Sequence, residues 1–238
     1  MIEITIGSIT MALYRKQIKN LHISVLPPDG RVRISAPEHM TETAIRMAVI
    51  NRIPWIKKQQ RDFEVQSRQS EREMVSGESH YLWGKRYRLE LIERRGKHEI
   101  VVHHDRLQLY VNPRTTRENR IKVVQSFYRE AVRDMLPELI QKWSAKMGLE
   151  IPSWYVRRMR TMWGSCNSQK RRILINSELA KKPIECLEYI VVHELTHLIE
   201  RLHNDRFRDI LDTYLPDWRE RRSLLQKMPL SEENWMFR

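Results

Sequence analysis

The sequence predicts an α+β protein in which a strand-rich first half precedes a mainly helical second half. Short runs of alternating apolar and polar residues, the pattern of half-buried strands, recur from the N-terminus to about residue 111. After Thr115, apolar residues recur at spacings of three and four, as in amphipathic helices. We therefore expect a strand-rich region over residues 1–113 and a second region over residues 114–238.

The first half begins with a predicted hairpin. Apolar and polar residues alternate over residues 23–25 and again over residues 32–34, and the Pro-Asp-Gly sequence at 28–30 favours a turn between them. Thr41 then has the side chain and the position of a helix N-cap. Pro54 is expected to interrupt or end the helix that follows.

Strands return after residue 80 and give way to one long helix. Alternation over residues 81–111 predicts further strands. Thr115 followed by Glu118 matches a capping box at the start of a helix, and Gly148 suits its end. Pro137 lies inside this helix and is expected to kink it. The apolar spacing indicates that the helix packs in the core.

The chain is strongly basic, with 43 Lys and Arg against 30 Asp and Glu and a formal net charge of +13. Basic clusters lie at residues 157–160, 170–172 and 219–222. Such a surface favours polyanionic partners, so we expect weak, sequence-independent nucleic-acid binding that weakens as salt rises. The alternative is that the charge serves solubility alone.

Hydropathy and cysteine content favour a location in the cytoplasm. No apolar run is long enough to span a membrane, and the N-terminus lacks the features of a signal peptide. Cys166 and Cys186 are too few to form a disulfide framework. We therefore expect a cytoplasmic protein, of open oligomeric state.

The strongest chemical signal is the H-E-x-x-H sequence from His193 to His197. Histidines four residues apart on a helix project from nearly the same side, so two imidazoles can reach one Zn²⁺. Glu194, beside the first histidine, has the position of a general base that takes a proton from water. An apolar stripe on the opposite side would bury the back of this helix. It consists of Ile184, Leu187, Val191, Leu195, Leu198 and Leu202.

A catalytic zinc needs a third protein ligand, and His203 is the nearest candidate. On a continuing helix its side chain would point away from the pair. It can therefore ligate only if the helix ends between Leu198 and His203 and the chain turns back. Asn204 tolerates the left-handed conformation that such a turn can need. Glu200, Asp205 or a later Glu is the alternative third ligand.

Several motifs around this helix occur together in one known family. The turn at 163–166 reads W-G-S-C, a strand over residues 172–176 ends in Asn, and the metal helix reads Y-I-V-V-H-E-L-T-H from Tyr189. Phe207 follows the third histidine after three residues. In this order and spacing the motifs resemble the YgjP-like metallopeptidase-domain family, over about residues 120–228. The strand-rich first half also looks like that family's usual N-terminal half.

The resemblance implies a small zincin-like hydrolase domain over residues 114–238. In the family pattern His193, His197 and His203 match the zinc ligands, and Glu194 matches the catalytic acid/base. The long helix would back the metal helix. Related SprT-like metalloproteases share the Trp-Gly-x-Cys arrangement and act on DNA-bound proteins. A strand at the edge of the cleft would bind an extended substrate by β-augmentation. It consists of Ile173, Leu174, Ile175 and Asn176.

These features favour a zinc-dependent metallopeptidase that acts on a protein or peptide substrate. An oxyanion partner is also needed, and Arg160, Tyr155 and Tyr214 are the candidates. Cys166 could ligate or block the metal. The favoured interpretation is a tight turn in which Trp163 packs and Cys166 is a small buried residue.

Two other functions stay open. A metal-dependent hydrolase of nucleotide phosphoanhydrides, of the nucleoside triphosphate pyrophosphatase type, would suit the positive charge, although no Gly-rich phosphate loop is present. A nucleic-acid-associated binding protein could instead use a zinc site for structure alone. Glu194 argues against this last function, because a structural zinc needs no base.

Overall fold

The computed structural model describes residues 2–26, 30–65, 73–159 and 162–227. The chain forms two compact units, and the described residues up to 65 belong to the first while those from 73 onward belong to the second. Both units contain strands and helices, so the predicted α+β class is confirmed. Within these ranges, no helix combines the length and the hydropathy needed to cross a membrane.

The first unit is a four-stranded sheet with two helices. Its strands are β1 (Ile2–Ile6), β2 (Ile9–Lys16), β3 (His22–Leu26) and β4 (Arg31–Pro37), and its helices are α1 (Glu42–Ile50) and α2 (Ile53–Val65). The strand order is β1-β2-β4-β3, with β2 and β4 parallel and the other two pairs antiparallel. Ile34, Ile45 and Ile56, from β4 and the two helices, are fully buried in one core.

The hairpin and the helix cap predicted for this unit are confirmed. Strands β3 and β4 pair antiparallel, with Ile23 opposite Ile34 and Val25 opposite Val32, while turn residues 28 and 29 lie outside the described part of the chain. The Thr41 hydroxyl accepts a hydrogen bond from the Ala44 N–H (3.3 Å) at the start of α1. Pro54 lies in the first turn of α2, where its missing N–H has no helical acceptor to lose.

The second unit begins with another four-stranded sheet. Its strands are β5 (Ser79–Leu82), β6 (Lys85–Glu93), β7 (Glu99–His103) and β8 (Arg106–Val111). Their order is β5-β6-β8-β7, with a parallel β6–β8 pair between two antiparallel pairs. The strands predicted over residues 81–111 are therefore present, in the same topology as the first sheet.

A helix of 30 residues, α3 (Arg117–Lys146), follows this sheet. Its N-cap is Thr116, so the capping box expected at Thr115 and Glu118 is wrong by one residue. The helix continues through Pro137. Its buried face confirms the predicted core helix. That face includes Val124, Tyr128, Val132, Leu136, Leu139, Ile140 and Trp143.

A three-stranded sheet and three helices complete the second unit. The strands are β9 (Ser153–Arg157), β10 (Gly164–Asn167) and β11 (Arg172–Asn176). Strand β11 lies in the middle, antiparallel to β10 and parallel to β9. A 3₁₀ helix (Ser177–Lys181) leads to α4 (Ile184–Thr196), α5 (Asp205–Tyr214) and α6 (Trp218–Lys227). Helix α4 is central, because it contacts α3, α5, α6, β10 and β11.

The boundary between the two compact units lies earlier in the chain than the boundary predicted after residue 113. The second four-stranded sheet contacts α3 and the 3₁₀ helix, which join it to the region that contains α4. A boundary between compact units does not show which residues the catalytic function requires. The boundary at residue 113 therefore stays a prediction about where the hydrolase function begins.

Candidate metal centre

Helix α4 carries both histidines of the H-E-x-x-H sequence. It begins directly after Pro183 and ends at Thr196, with His197 as its C-cap. The ring centroids of His193 and His197 lie 5.0 Å apart, as expected for two residues on one side of a helix. The back of the helix is packed in the core. Its Leu187, Val191 and Leu195 side chains are each 0% exposed.

The chain turns back directly after α4, slightly earlier than the sequence predicts. The apolar stripe therefore stops before Leu202, which is 65% exposed. A carboxylate oxygen of Glu200 accepts a hydrogen bond from the Leu202 N–H (3.0 Å) and tightens the turn. Asn204 is extended (φ −87°) rather than left-handed, and its side chain caps α5 by accepting the Phe207 N–H (3.0 Å). This path returns His203 to α4.

Three imidazoles converge at this turn. His193, His197 and His203 place ligand nitrogens within 4.8 Å of one another, and the Nε2 atoms of His193 and His203 are 3.1 Å apart. Nitrogens bound to one tetrahedral zinc would lie roughly 3.3 Å apart, so the three residues fit this ion. Glu200 stabilises the turn and Asp205 forms an ion pair within α5, and neither belongs to the group.

The imidazoles of this group favour the neutral form. Burial, with the neighbouring charges of His197 and His203, lowers the pKa of His193 to about 3. Burial also lowers the pKa of His197 and the pKa of His203. The Nδ1 atom of His197 lies 3.2 Å from the Glu200 carbonyl oxygen, to which it can donate while Nε2 stays available. Neutral imidazole is the form that binds a metal.

One phenyl ring packs against all three histidines. Phe207, on α5, is 2% exposed, and its ring centroid lies 5.0 Å from that of His193, 4.7 Å from that of His197 and 4.6 Å from that of His203. The sequence signal for this residue is its spacing of four from His203, which places it on the first turn of α5. Its packing role depends on the fold and is not visible in that spacing.

The Glu194 side chain lies against strand β10. It is 4% exposed, and burial raises the pKa of its carboxyl to about 8. A Cβ atom at Gly164 would lie 2.4 Å from the Glu194 Oε1 atom, a distance that real Cβ atoms do not show. Gly164 does not have a positive φ, so the glycine serves close approach and not an unusual backbone conformation. The glycine of the W-G-S-C sequence therefore makes room for the carboxylate.

The histidines and Glu194 line an open cleft of about 530 Å³. Its other wall is the segment that contains β10, and two further polar side chains, Tyr189 and Arg201, also line it. The Tyr189 ring packs edge-on against His193, with centroids 5.8 Å apart. The sequence motif included Tyr189 without giving it a place in the cleft, although it precedes His193 by one helical turn and so shares its side of α4. Arg201 was missed.

Two of the predicted oxyanion partners, Tyr155 and Tyr214, are not among the residues that line this cleft. Tyr155 is 55% exposed on β9, two strands away from β10. Tyr214 ends α5 and is not among the residues that line the cleft. Arg160 lies outside the described residues. The assignments of Tyr155 and Tyr214 failed because the pattern of a sequence does not say which strand or helix end borders a cleft, and the assignment of Arg160 stays a prediction.

The W-G-S-C segment is partly as expected. Trp163 is 4% exposed, which confirms that it packs. Cys166 is half-buried on β10 and lines the cleft, so its predicted full burial is wrong. Burial, with a smaller effect of Glu194, raises the pKa of the Cys166 thiol to about 12. Its sulfur does not belong to the histidine group.

The predicted substrate strand does not border the cleft, and this is a correction. Strand β11 pairs with β10 on one edge and β9 on the other, so neither edge can accept a peptide. Asn176 instead holds the segment before β10, because its Nδ2 donates to the carbonyls of Met159 (3.1 Å) and Met162 (2.7 Å). Leu174 is partly exposed. The other three members, Ile173, Ile175 and Asn176, are 0% exposed.

Three histidines, a buried glutamate and an open cleft are together the features of a candidate metallohydrolase centre. The sequence model of the YgjP-like metallopeptidase-domain family matches residues 19–228, and the chain belongs to this family. It is therefore an enzyme of the peptidase and hydrolase class, for which a metal and a protein or peptide substrate are expected.

Comparison with other proteins adds one structural likeness. The chain is similar to the crystal structure of the metallopeptidase zymogen of Pyrococcus abyssi abylysin, at 18% identity and a TM-score of 0.37. The likeness covers 41% of this chain and 98% of that chain. No curated protein is significantly similar to the chain.

Proposed function

We propose that this chain is a zinc-dependent metallopeptidase with a three-histidine site. His193, His197 and His203 would hold Zn²⁺, and Glu194 would be the general base. The observation that carries the proposal is the convergence of three ligand nitrogens beside a buried carboxyl in an open cleft. All of these groups lie within residues 114–238, the proposed hydrolase domain. Both cysteines are free, which supports a cytoplasmic location.

The protein groups divide the work of hydrolysis. Bound zinc would polarise a substrate carbonyl and acidify water. Glu194 can accept the proton that water loses, because its carboxylate oxygen lies at the wall of the cleft. The same carboxyl can then give that proton to the leaving amine nitrogen, so one side chain serves as base and then as acid.

Strand β10 offers the edge that β11 lacks. Among the described strands it pairs with β11 alone. The Asn176 N–H donates to the Trp163 carbonyl (2.9 Å), and hydrogen bonding alternates along an antiparallel ladder, so the backbone groups of Gly164 and Cys166 face away from β11. Because Gly164 lies against the Glu194 carboxylate, a peptide paired to this edge would lie beside the base.

Metal analysis of the purified protein tests the ligand set. Wild type is expected to hold one zinc per chain, and His203→Ala is expected to lose most of it because a catalytic zinc needs three protein ligands. The matched control is His39→Ala, which removes an exposed loop histidine. Full zinc occupancy in His203→Ala would remove His203 from the ligand set.

Activity of Glu194→Gln tests the base. The amide keeps the shape of the side chain but cannot accept a proton, so zinc should stay while hydrolysis falls roughly 10²–10⁴-fold. Glu185→Gln, an exposed change on the same helix, is the matched control. Unfolded protein, quenched fluorescent peptides and nucleoside triphosphates are assayed in parallel. Nucleotide cleavage without peptide cleavage would replace the peptidase with a phosphoanhydride hydrolase, and near wild-type activity in Glu194→Gln would discard the mechanism.

A further inference from the structure

The three-stranded sheet has a second face, opposite the one that packs on α4. Side chains alternate across a strand, and the Gly164 position faces Glu194, so Ser165 faces the other way. In the sheet register Ser165 lies opposite Leu174, and Leu174 lies opposite Tyr155. We call this side the outer face. Its residues are Tyr155, Arg157, Ser165, Asn167, Arg172 and Leu174.

An exposed aromatic ring between two arginines distinguishes the outer face. Tyr155 is 55% exposed, and the guanidinium of Arg172 lies 5.9 Å from the centre of its ring. Arg157 is exposed two residues further along β9, on the same side of the strand. The three strands contain no Asp or Glu, and Arg157 and Arg172 form no ion pair with any described residue. Their charge is therefore available to a partner.

Several basic residues of the clusters at 157–160 and 219–222 are neutralised within the protein. Arg158, the neighbour of Arg157, forms an ion pair with buried Glu178 (3.3 Å). In the cluster at 219–222, Arg219 pairs with Asp212, and Arg221 forms ion pairs with two carboxylates. The basic clusters look alike in the sequence, but their arginines differ in whether they form ion pairs. Arg157 and Arg172, from two of these clusters, keep an unpaired positive charge on the outer face.

We propose that the outer face binds single-stranded nucleic acid, with a base stacked on Tyr155 and phosphates bound by Arg157 and Arg172. Open rings beside arginines are the elements with which proteins bind single strands without sequence preference. An acidic peptide would use the arginines but would have no use for the ring. A duplex keeps the faces of its bases stacked inside, away from Tyr155. The proposal goes beyond the peptidase function and does not depend on it.

Fluorescence anisotropy with a labelled single-stranded oligothymidine tests this surface, using the full chain over a salt series. Tyr155→Ser is expected to weaken binding roughly 5- to 100-fold, and Tyr155→Phe is expected to bind like wild type because it keeps the stacking surface. Removing Arg157 and Arg172 together is expected to lower the slope of log K against log salt by about 1.4, since each phosphate contact on a single strand contributes about 0.7.

The matched control removes the same charge elsewhere. Arg133→Ala with Arg208→Ala changes two exposed helix arginines and is expected to leave the slope unchanged. Equal binding by Tyr155→Ser and Tyr155→Phe would overturn the proposal. So would equal slopes for the two arginine pairs, or competition by duplex DNA or polyglutamate as strong as that by single strands. If circular dichroism shows that Tyr155→Ser is unfolded, the two arginine pairs decide.

Discussion

The two four-stranded sheets follow the same path through different units. In each, the second strand pairs antiparallel with the first and parallel with the fourth, and the third strand lies at the far edge. Each first hairpin closes through two residues, Gly7 with Ser8 in the first sheet and Trp83 with Gly84 in the second. A threonine caps the helix that follows each sheet.

The hairpin turns of the two sheets differ in what they touch. At Gly7 a Cβ atom would meet nothing within 4 Å, whereas at Gly84 it would lie 2.9 Å from the Cγ atom of Pro183, the residue before α4. The Trp83 N–H also donates to the Ala180 carbonyl (2.7 Å) in the 3₁₀ helix. The turn of the first sheet therefore has open space around Gly7. The turn of the second sheet contacts the residues that lead into α4.

The largest effect is expected at Gly164, where the second unit leaves the least space. A methyl group there would be 2.4 Å from Glu194 Oε1, so Gly164→Ala must displace the carboxylate. A displacement of about 1 Å can cost roughly a hundredfold in rate, while the metal content of the protein is expected to stay unchanged. Peptide hydrolysis and zinc content are measured together, with the exposed change Glu185→Gln as the control. Wild-type activity in Gly164→Ala would show that β10 does not position the base.

The two hairpin turns make a matched pair of variants. Gly7→Ala places a side chain at φ +61° and is expected to cost about 1–2 kcal/mol of stability from backbone strain alone. Gly84→Ala, at φ +79°, adds overlap with Pro183 and is expected to cost about 1–3 kcal/mol more. Urea unfolding measures both. An equal loss of unfolding free energy in the two variants would mean that the overlap with Pro183 is relieved easily. The two turns would then not differ in their energetic importance.

A partly buried carboxylate in the second unit, Glu188, should give a pH-dependent effect. Glu188 on α4 accepts hydrogen bonds from Lys142 (2.7 Å) and Trp143 (2.9 Å) on α3 and from Arg221 (2.6 Å) on α6. Burial opposes its ionisation, but these hydrogen bonds outweigh burial and lower the pKa to about 2. The unfolded value is about 4.3, so the stabilisation is present above that pH and is lost as pH falls toward 2.

Glu188→Gln is therefore expected to lower stability by about 1–3 kcal/mol at neutral pH and by less near pH 3. Denaturant unfolding of wild type and variant at the two pH values measures the difference. An equal loss at both values would contradict the role assigned to Glu188.

The smallest effect is expected from the exposed pair of the first unit. Glu42 and Arg46 lie 3.0 Å apart on α1, with side chains 61% and 45% exposed. Surface pairs of this kind contribute about 0.3–0.5 kcal/mol, so Glu42→Gln should change the urea midpoint only slightly. A loss as large as that of Glu188→Gln would remove the energetic contrast between the units.

Local features of this fold were predictable from the sequence. The hairpin of β3 and β4, the cap at Thr41 and the paired side of His193 and His197 follow from periods of 2 and 3.6 residues, which depend only on near neighbours. The return of His203 was predictable as a condition, because a third ligand requires a turn.

Features that depend on distant residues were not predictable. Strand β11 lies in the centre of its sheet because β9 and β10 pair with its two edges. The alternation of apolar and polar residues along a strand is the same at the edge of a sheet and at its centre. The sequence does not distinguish Arg158 from Arg157. Only the fold brings Glu178, 20 residues later, beside Arg158. The reason for a glycine at 164 lies 30 residues away at Glu194 and is steric.

Phe207 touches all three imidazoles without offering a ligand atom. Side chains that are already ordered lose little conformational entropy when a ligand arrives. The ordering of the three rings therefore takes place when the chain folds, with the aromatic core of α5 as their common support. In the proposed zinc enzyme the hydrophobic interior would therefore tune the affinity for the ion, and a change of Phe207 to a smaller residue would loosen three imidazoles at once.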